Sequence, residues 1–351
     1  MTNQPYPTVG EAWACIPRTL ATTLLLPALL TIANATHAVM NVEQVLSAPY
    51  FEEVDIQKTR AGKTVITDVH DVSDREIAAA IVCLVKGSPD SALGVFTGDS
   101  LPVSSDILEA QQLINATDAI ASFKALSLKT GKGDRKEIQH YLKAAPGLDL
   151  NLSAAEISDW QALGKSANVT TAQAEALLKK HLHSRYASYR NKGLANASSY
   201  LRKDGTSAAP GEELRKTETD KTGLQSVLSD FYRAWLQYPD VQPAGLTGDD
   251  YFWLKLTVEG RPVFALSHRL VSRSDDLQVV GIRDFYVSHF FDIAQGIAAT
   301  IKLENGEYLF IYAVNVWIAH WHGIEALDKA IGKKYLGSHM KSLLTDHGIC
   351  E

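Results

Sequence analysis

The sequence predicts an α+β protein in which an antiparallel sheet is closed by a long C-terminal helix and carries an inserted helical subdomain. Three observations lead to this fold class. From about 250 to 320 apolar and polar residues alternate with the period of two that is typical of strands. The segment 104–244 has the helical period instead. Helical spacing then returns after Gly323 and continues almost to the end of the chain.

Turn signals divide the strand-rich segment. Asn305–Gly306 is a strong hairpin signal, because both residues tolerate the positive φ angles of a tight turn. The run 277–303 is too long for one strand, so we expect a bulge or turn near Asp292–Gly296. The strand after the hairpin, 308–319, is apolar on both faces and is therefore expected to be covered on both sides.

The C-terminal helix has apolar residues at helical spacing, namely Ile324, Leu327, Ile331, Leu336, Met340, Leu343 and Leu344. We expect this side to grip the sheet. On that reading, Leu327 and Ile331 contribute strongly to stability, because burial of a large apolar side chain is worth several kcal/mol.

The N-terminus has the pattern of a secretory signal peptide over 1–38. Arg18 precedes an uncharged, leucine-rich run from 19 to 35, and Ala33-Asn34-Ala35 fits the small-x-small cleavage pattern. The run is short for a membrane-spanning helix. We therefore expect an exported protein, periplasmic or extracellular. An uncleaved anchor and a buried core helix are the alternatives.

Two cysteines, Cys83 and Cys350, follow the expected cleavage point. In an oxidising compartment they can pair and tie the C-terminus to a strand. A free buried thiol at Cys83 is equally natural in its apolar surroundings. The sequence leaves both states open.

Residues 39–103 and 245–351 are expected to form the α+β core. The first part begins with a hairpin between 50–59 and 63–69, followed by a strand at 77–85. Ser88 and Pro89 then mark a helix start. In the helical segment 104–244, Ser153 and Glu156 form a capping box, and Thr170 or Thr171 caps a longer helix.

This order of elements, with the short segment Val85–Leu93, resembles the START-like superfamily of polyketide cyclases and lipid-transfer proteins. The resemblance implies the helix-grip fold. Most of the mature chain also resembles a group of uncharacterised exported bacterial proteins through the segments 266–268 and 286–292. That group brings no activity with it. Its members often carry two cysteines around Pro146–Gly147, and this chain has none there.

Ser288, His289 and Asp292 have the residue types of a hydrolase triad. Adjacent strand residues point to opposite faces, so we expect Ser288 and His289 not to meet. The chain also lacks a Gly-x-Ser-x-Gly elbow. A hydrolase is therefore not expected.

His320 and His322 would lie on one side of a continuing strand and are a candidate metal pair. His268 or His289 would be the third ligand. No cysteine or carboxylate stands beside the pair at ligand spacing, so no metal and no cofactor are expected. A His-dependent metal enzyme is the third functional hypothesis.

Five polar residues share strand faces with apolar neighbours and are the candidate ligand-binding residues: Arg283, His289, His268, Tyr312 and His320. Buried polar groups cost free energy unless they have partners. Either they satisfy one another, or they orient a ligand in a mostly apolar cavity. In the second case Arg283 would hold the anionic head group of an amphiphile.

The composition narrows the choice of function. The chain has a net charge of −6 and no basic block, which excludes nucleic acid as a partner. We expect non-enzymatic binding or carriage of a small hydrophobic or anionic amphiphilic ligand in the cell envelope. Membrane contact would come only through the signal segment or lipid exchange. The alternative is an interaction module for another envelope protein, whose identity the sequence does not indicate.

Overall fold

The computed structural model describes residues 41–48, 51, 54–69, 73–128, 132–197, 199–220, 227–318 and 325–350. The expected signal peptide and His320 lie outside these residues. Within the described part, no helix has both the length and the apolar character that a membrane crossing requires.

The strands are short at the start of the chain and long in its second half. They are β1 (Val65–Asp68), β2 (Glu76–Leu84), β3 (Leu108–Leu113), β4 (Tyr200–Leu201), β5 (Ser207–Ala208), β6 (Leu246–Val258), β7 (Arg261–Arg273), β8 (Leu277–Val287), β9 (Phe291–Lys302) and β10 (Tyr308–Ile318). The α-helices of the described part are α1 (Val42–Leu46), α2 (Ile56–Arg60), α3 (Pro89–Thr97), α4 (Ala119–Ser122), α5 (Lys132–Leu142), α6 (Ala154–Gly164), α7 (Thr171–Lys192), α8 (Pro210–Asp220), α9 (Ser229–Leu236) and α10 (Glu325–Asp346).

Eight strands form one sheet in the order β1-β2-β10-β9-β8-β7-β6-β3, and all neighbours are antiparallel. β4 and β5 form a separate small pair. The Asn305–Gly306 turn joins β9 to β10 as predicted, with a φ of +85° at Gly306. An α+β fold with a large antiparallel sheet is therefore confirmed.

The inner face of the sheet, which we define as the face that carries His268 and Arg283, is covered by helices between α4 and α9. One buried cluster joins Tyr189 of α7 and Trp235 of α9 to Trp253 of β6. All three of these aromatic side chains are at most 2% exposed. Because aromatic side chains bury large apolar areas, this packing fixes the helices of the segment 104–244 against the sheet. The segment is not wholly helical as expected, because β3 within it pairs with β6 at the edge of the sheet.

The opposite, outer face is covered by two helices at separate places. α3 packs over β8 and β9, whereas α10 lies over β2 and the edge strand β1. Cys83 of β2 and Cys350 form a disulfide, with their Cα atoms 5.9 Å apart. Of the two states that the sequence left open, the structure therefore has the disulfide and not the free thiol. The bond fixes the chain just after α10 to the sheet.

α10 approaches the sheet closely through two glycines. A Cβ atom at Gly332 would lie 2.5 Å from Ile77 Cδ1, and one at Gly337 would lie 3.1 Å from Ile66 Cγ2. Farther along the helix, Met340 and Leu344 are buried. Ile331 is 59% exposed, so the expectation that it grips the sheet is wrong. The Leu327 side chain lies outside the described part.

The helix starts that the sequence indicates are confirmed. The Ser88 side chain accepts a hydrogen bond from the backbone N–H of Ser91 at 3.2 Å, with Pro89 opening α3. Ser153 and Glu156 form the capping box of α6, and the Thr170 side chain caps α7. Side-chain acceptors at these positions satisfy N–H groups that have no partner within the helix.

The hairpin expected between 50–59 and 63–69 is wrong over most of its length. Residues 56–60 form α2, because the Asp55 side chain accepts the Lys58 N–H at 2.9 Å and caps the helix. Phe51 alone keeps a bridge to Val69 among the described residues. β1 pairs with β2 instead.

The long run 277–303 is interrupted, as expected, but the turn comes earlier. β8 ends at Val287 and β9 begins at Phe291. Between β7 and β8, Ser267 pairs with Asp284, and the preceding Leu266 pairs with Tyr286. Phe285 of β8 is therefore an extra, bulged residue. The alternation of faces therefore changes at Phe285, and Val287 packs in an outer-face cluster.

Candidate ligand-binding site

Of the five candidate residues from the sequence, the four that the structure describes do not converge on one site. His268 and Arg283 are paired across β7 and β8 on the inner face. Tyr312 lies on the outer face, where it packs with the cluster under α3. His289 lies in the turn between β8 and β9. His320 lies outside the described residues.

Arg283 is fully buried, and its partners are neutral groups of the protein. Its Nη1 donates to the Tyr189 hydroxyl at 3.0 Å and to the Trp235 carbonyl at 3.2 Å. Nη2 donates to Gln295 Oε1 at 3.1 Å. The guanidinium carbon lies 4.0 Å from the centroid of the Trp235 ring, which adds a cation–π contact.

A chain of hydrogen bonds leads from Arg283 to a carboxylate. The Tyr189 hydroxyl lies 3.2 Å from His268 Nδ1, and His268 Nε2 lies 3.0 Å from Asp249 Oδ1. The Tyr238 hydroxyl donates to Asp249 Oδ2 at 3.1 Å. Burial lowers the pKa of His268, although Asp249 acts in the other direction. Asp249 therefore balances the Arg283 charge through a phenol and an imidazole rather than by direct contact.

These contacts favour the first of the two alternatives for the inner face, in which the buried polar groups bond to one another. They do not favour the second, in which Arg283 binds the head group of a ligand. Both nitrogens at the tip of the guanidinium have protein acceptors. Only Nε is buried without a partner. Arg283 thus orders the junction of α7, α9 and the sheet, and the expected anionic ligand has no exposed surface of Arg283 to contact.

Ser288 and His289 do meet, and the expectation that they cannot is wrong. The Ser288 Oγ lies 2.9 Å from His289 Nδ1. Both residues follow the end of β8, and the next residue, Phe290, has a φ of +75°. Strand alternation does not apply in such a turn, so neighbouring side chains can reach the same side.

Of the described residues, Glu137 rather than Asp292 has its carboxylate near this pair: Glu137 Oε1 lies 4.0 Å from His289 Nδ1, and the same carboxylate accepts hydrogen bonds from Arg261. Asp292 is fully buried, and its carboxylate is bonded by Arg75 and Arg202. Burial lowers the pKa of His289 to about 3, so its imidazole stays neutral over the ordinary pH range. The Ser288 hydroxyl is completely buried and accepts the Phe264 N–H at 3.0 Å. These hydrogen bonds tie the turn to β7.

The outer face has a strip of partly exposed residues beside α3 and α10, which we call the outer trough. It consists of two rows that cross β8, β9 and β10: Ile282–Gly296–Val314 and Asp284–Ala294–Val316. Five of these six residues are half-buried, and Ala294 is 9% exposed. The strip is about 10 Å wide, given the ordinary spacing between strands.

The middle of each row has a small residue, Gly296 or Ala294, which lowers the floor of the trough along β9. Tyr312 closes one end. Its ring edge would lie 3.3 Å from a Cβ atom at Gly296, and its ring centroid lies 4.9 Å from that of Phe96 in α3. Burial, and then the negative charge of Asp284, raise the pKa of the Tyr312 hydroxyl.

Asp284 is the carboxylate of the outer trough. The Ser267 hydroxyl donates a hydrogen bond to Oδ1, and Ser267 itself is fully buried. Within the described part of the chain, no other group donates to Asp284. Burial raises the pKa of this carboxyl to about 6, and Ser267 opposes that shift only in part. The trough therefore combines an apolar floor with one incompletely satisfied acid.

Sequence reasoning missed Asp284 because the adjacent Arg283 is the more conspicuous charged residue of β8. Along β8, Ile282 and Asp284 alternate with Arg283 and Phe285, so each face receives one charged residue. A permanent cation among apolar side chains is the more conspicuous of the two. An acid in phase with Ile282 was the available signal.

Comparisons with protein-family models, with curated proteins and with solved structures found no match for this chain. Within the ranges that the structure describes, no three His, Cys, Asp or Glu side chains converge on a position for a metal ion. The functional argument therefore depends on the geometry of the outer trough.

Proposed function

We propose that the protein binds a small hydrophobic molecule in the outer trough, without converting it chemically. The observation that carries this proposal is the pair of rows that form the trough, which are partly exposed and apolar except for Asp284. Small-molecule sites are mostly apolar and have a few polar groups that set orientation. Asp284 and the Tyr312 hydroxyl are the polar groups of this kind here.

The exposure of the two faces supports a ligand site on the outer face and not on the inner face. The inner-face members of the same strands, such as Ile293, Gln295 and Ile297, are at most 4% exposed. By contrast, Val314 and Val316 remain half-buried although they lie near the middle of an eight-stranded sheet. A ligand would remove this apolar surface from water, which is worth about 25 cal/mol per Å².

We further propose that the sheet and α10 form a helix-grip arrangement related to the START-like proteins. The support is the position of α10, held at Gly332 and Gly337 by close contact with Ile77 and Ile66. The disulfide between Cys83 and Cys350 holds its other end. The trough then lies beside the gripping helix rather than beneath it.

Export to the periplasm or the extracellular space is part of the proposal. Disulfides persist in oxidising compartments and are rare in the cytosol, and Cys83 is bonded to Cys350. Lipid-like ligands of the cell envelope would be available in such a location. N-terminal sequencing of protein from its native cell should give a start near Thr36 or Val39; a cytoplasmic protein starting at Met1 would contradict export.

The binding proposal can be tested with N-phenyl-1-naphthylamine, a dye that is neutral at pH 7 and fluoresces in apolar sites. Ala294→Phe would fill the trough beside Asp284, whereas Ala116→Phe adds the same side chain at an exposed position. We expect the wild type and Ala116→Phe to enhance the fluorescence and Ala294→Phe to lose most of this effect. Equal enhancement by all three proteins, or none by the wild type, would contradict the proposal.

A further inference from the structure

Among the described residues, no cation pairs with Asp284. Burial and the Ser267 hydroxyl are the influences on its pKa there, and no described Lys, Arg or His acts on it. Arg269, on the same face, donates to Asp250 Oδ2 at 2.7 Å and to the Gly98 carbonyl at 2.6 Å. On α10, Lys329 donates to the Ser73 carbonyl at 3.3 Å. Arg269 and Lys329 are therefore bonded to groups other than Asp284.

The second oxygen of Asp284 accepts no hydrogen bond from the described residues. Ser267 donates to Oδ1 only, and Oδ2 is not one of the fully buried, unpartnered atoms of the described residues. An ionised carboxylate among Ile282, Ala294 and Val316 loses hydration that no described group beyond Ser267 restores. A donor from outside the protein would restore it.

We infer that the outer trough takes an amphiphile whose head group is a protonated amine, which donates to Asp284 while its hydrocarbon part covers the apolar rows. This inference rests on the proposed function and names the class of ligand. A hydrogen bond between two ionised groups is stronger than one between neutral groups. An anionic head group would instead meet a carboxylate of the same sign.

The register of the sheet gives the direction of the ligand. Asp284 begins one row, and Ala294 and Val316 follow it across the sheet. The second row, from Ile282 to Val314, lies two residues along the strands, or about 7 Å away. A head group at Asp284 thus leaves the hydrocarbon part over Ala294 and Gly296, with the Tyr312 ring at the far end.

The test compares three probes that share a twelve-carbon chain: dodecylamine, dodecan-1-ol and dodecanoate. Their affinities are measured at pH 7.5 by displacement of N-phenyl-1-naphthylamine from the wild type, Asp284→Asn and Asp276→Asn. Asp276 is the control because it is a carboxylate of the β7–β8 loop, paired with Lys302 at 3.1 Å. We expect wild type and Asp276→Asn to bind the amine about tenfold more tightly than the alcohol, and dodecanoate most weakly.

Asp284→Asn keeps the shape of the side chain and removes its charge, so the preference for the amine should disappear while the alcohol still binds. A pH series gives a second readout. Between pH 5 and pH 7.5 the amine should bind the wild type more tightly as Asp284 ionises, since its pKa is about 6. Asp284→Asn should show no such rise.

The outcomes separate the two proposals. If the wild type binds all three probes equally and Asp284→Asn changes nothing, the amine inference is overturned while binding in the trough stands. If dodecanoate binds the wild type most tightly, the amine inference is likewise overturned and binding in the trough stands. If neither the dye nor any probe binds, the proposed function fails and the inference fails with it.

Discussion

Ser267 and Asp284 stand opposite each other in β7 and β8, and the Ser267 hydroxyl donates the one hydrogen bond that the described residues give to the Asp284 carboxylate. One neutral donor does not replace the hydration that burial removes, and the pKa of Asp284 is raised to about 6. The same β8 segment places Arg283 on the other face among neutral partners. The adjacent charges of Arg283 and Asp284 thus differ in their hydrogen bonds: Arg283 has several protein partners, and Asp284 has one among the described residues.

The raised pKa of Asp284 makes stability depend on pH. The ordinary value of 3.8 applies to the unfolded chain, so between pH 4 and pH 6 the folded state binds more protons than the unfolded state. The contribution of Asp284 to the free energy of unfolding therefore falls as pH rises through this window and is constant above it. Urea unfolding at pH 4, 5, 6 and 7 should show a steeper fall for the wild type than for Asp284→Asn. Parallel curves would contradict the assignment.

Arg283→Ala should destabilise the fold instead of selectively weakening ligand binding. The change removes a fully buried side chain between α7, α9 and the sheet, and it leaves Gln295 and the Trp235 carbonyl short of a donor. We expect a loss of about 2–5 kcal/mol in the free energy of unfolding. Arg273→Ala, which removes a more exposed ion pair with Asp90, should cost less than about 1 kcal/mol. Equal losses in denaturant titrations would show that Arg283 has no special structural role.

The disulfide between Cys83 and Cys350 spans 267 residues. Closing so long a loop restricts the unfolded chain, so Cys350→Ser should lower the free energy of unfolding by about 2–4 kcal/mol. Dithiothreitol should lower the stability of the wild type by a similar amount and leave Cys350→Ser unchanged. A wild type whose unfolding midpoint does not respond to reduction would contradict this expectation.

The two sides of α10 should differ sharply in their response to substitution. Leu344 is completely buried against the sheet, whereas Ile331 is 59% exposed. Leu344→Ala should cost about 2–5 kcal/mol through lost burial and a cavity, and Ile331→Ala less than about 0.5 kcal/mol. Thermal unfolding of the two variants measures the contrast. A larger loss for Ile331→Ala would mean that α10 is rotated from the position described.

Local chemistry made many elements predictable from the sequence. Ser88, Ser153 and Thr170 cap helices because each side chain satisfies N–H groups of its own first turn. The Asn305–Gly306 turn depends equally on a few neighbouring residues. Alternation was sufficient to predict the long strands, and therefore the α+β class. Asp55 is an exception: its side chain caps α2 in a segment where alternation predicts a strand.

The sequence by itself determined which segments alternate, which are helical and where most helices begin, since these properties depend on contacts within a few residues. Only the tertiary structure decided which groups face one another. The bulge at Phe285 changed the phase of β8, and the turn at Ser288 and His289 brought adjacent side chains together. Because α3 and α10 pack over different strands, the strip around Asp284 is partly exposed. Such relations depend on packing between residues far apart in the chain, which periodicity does not encode.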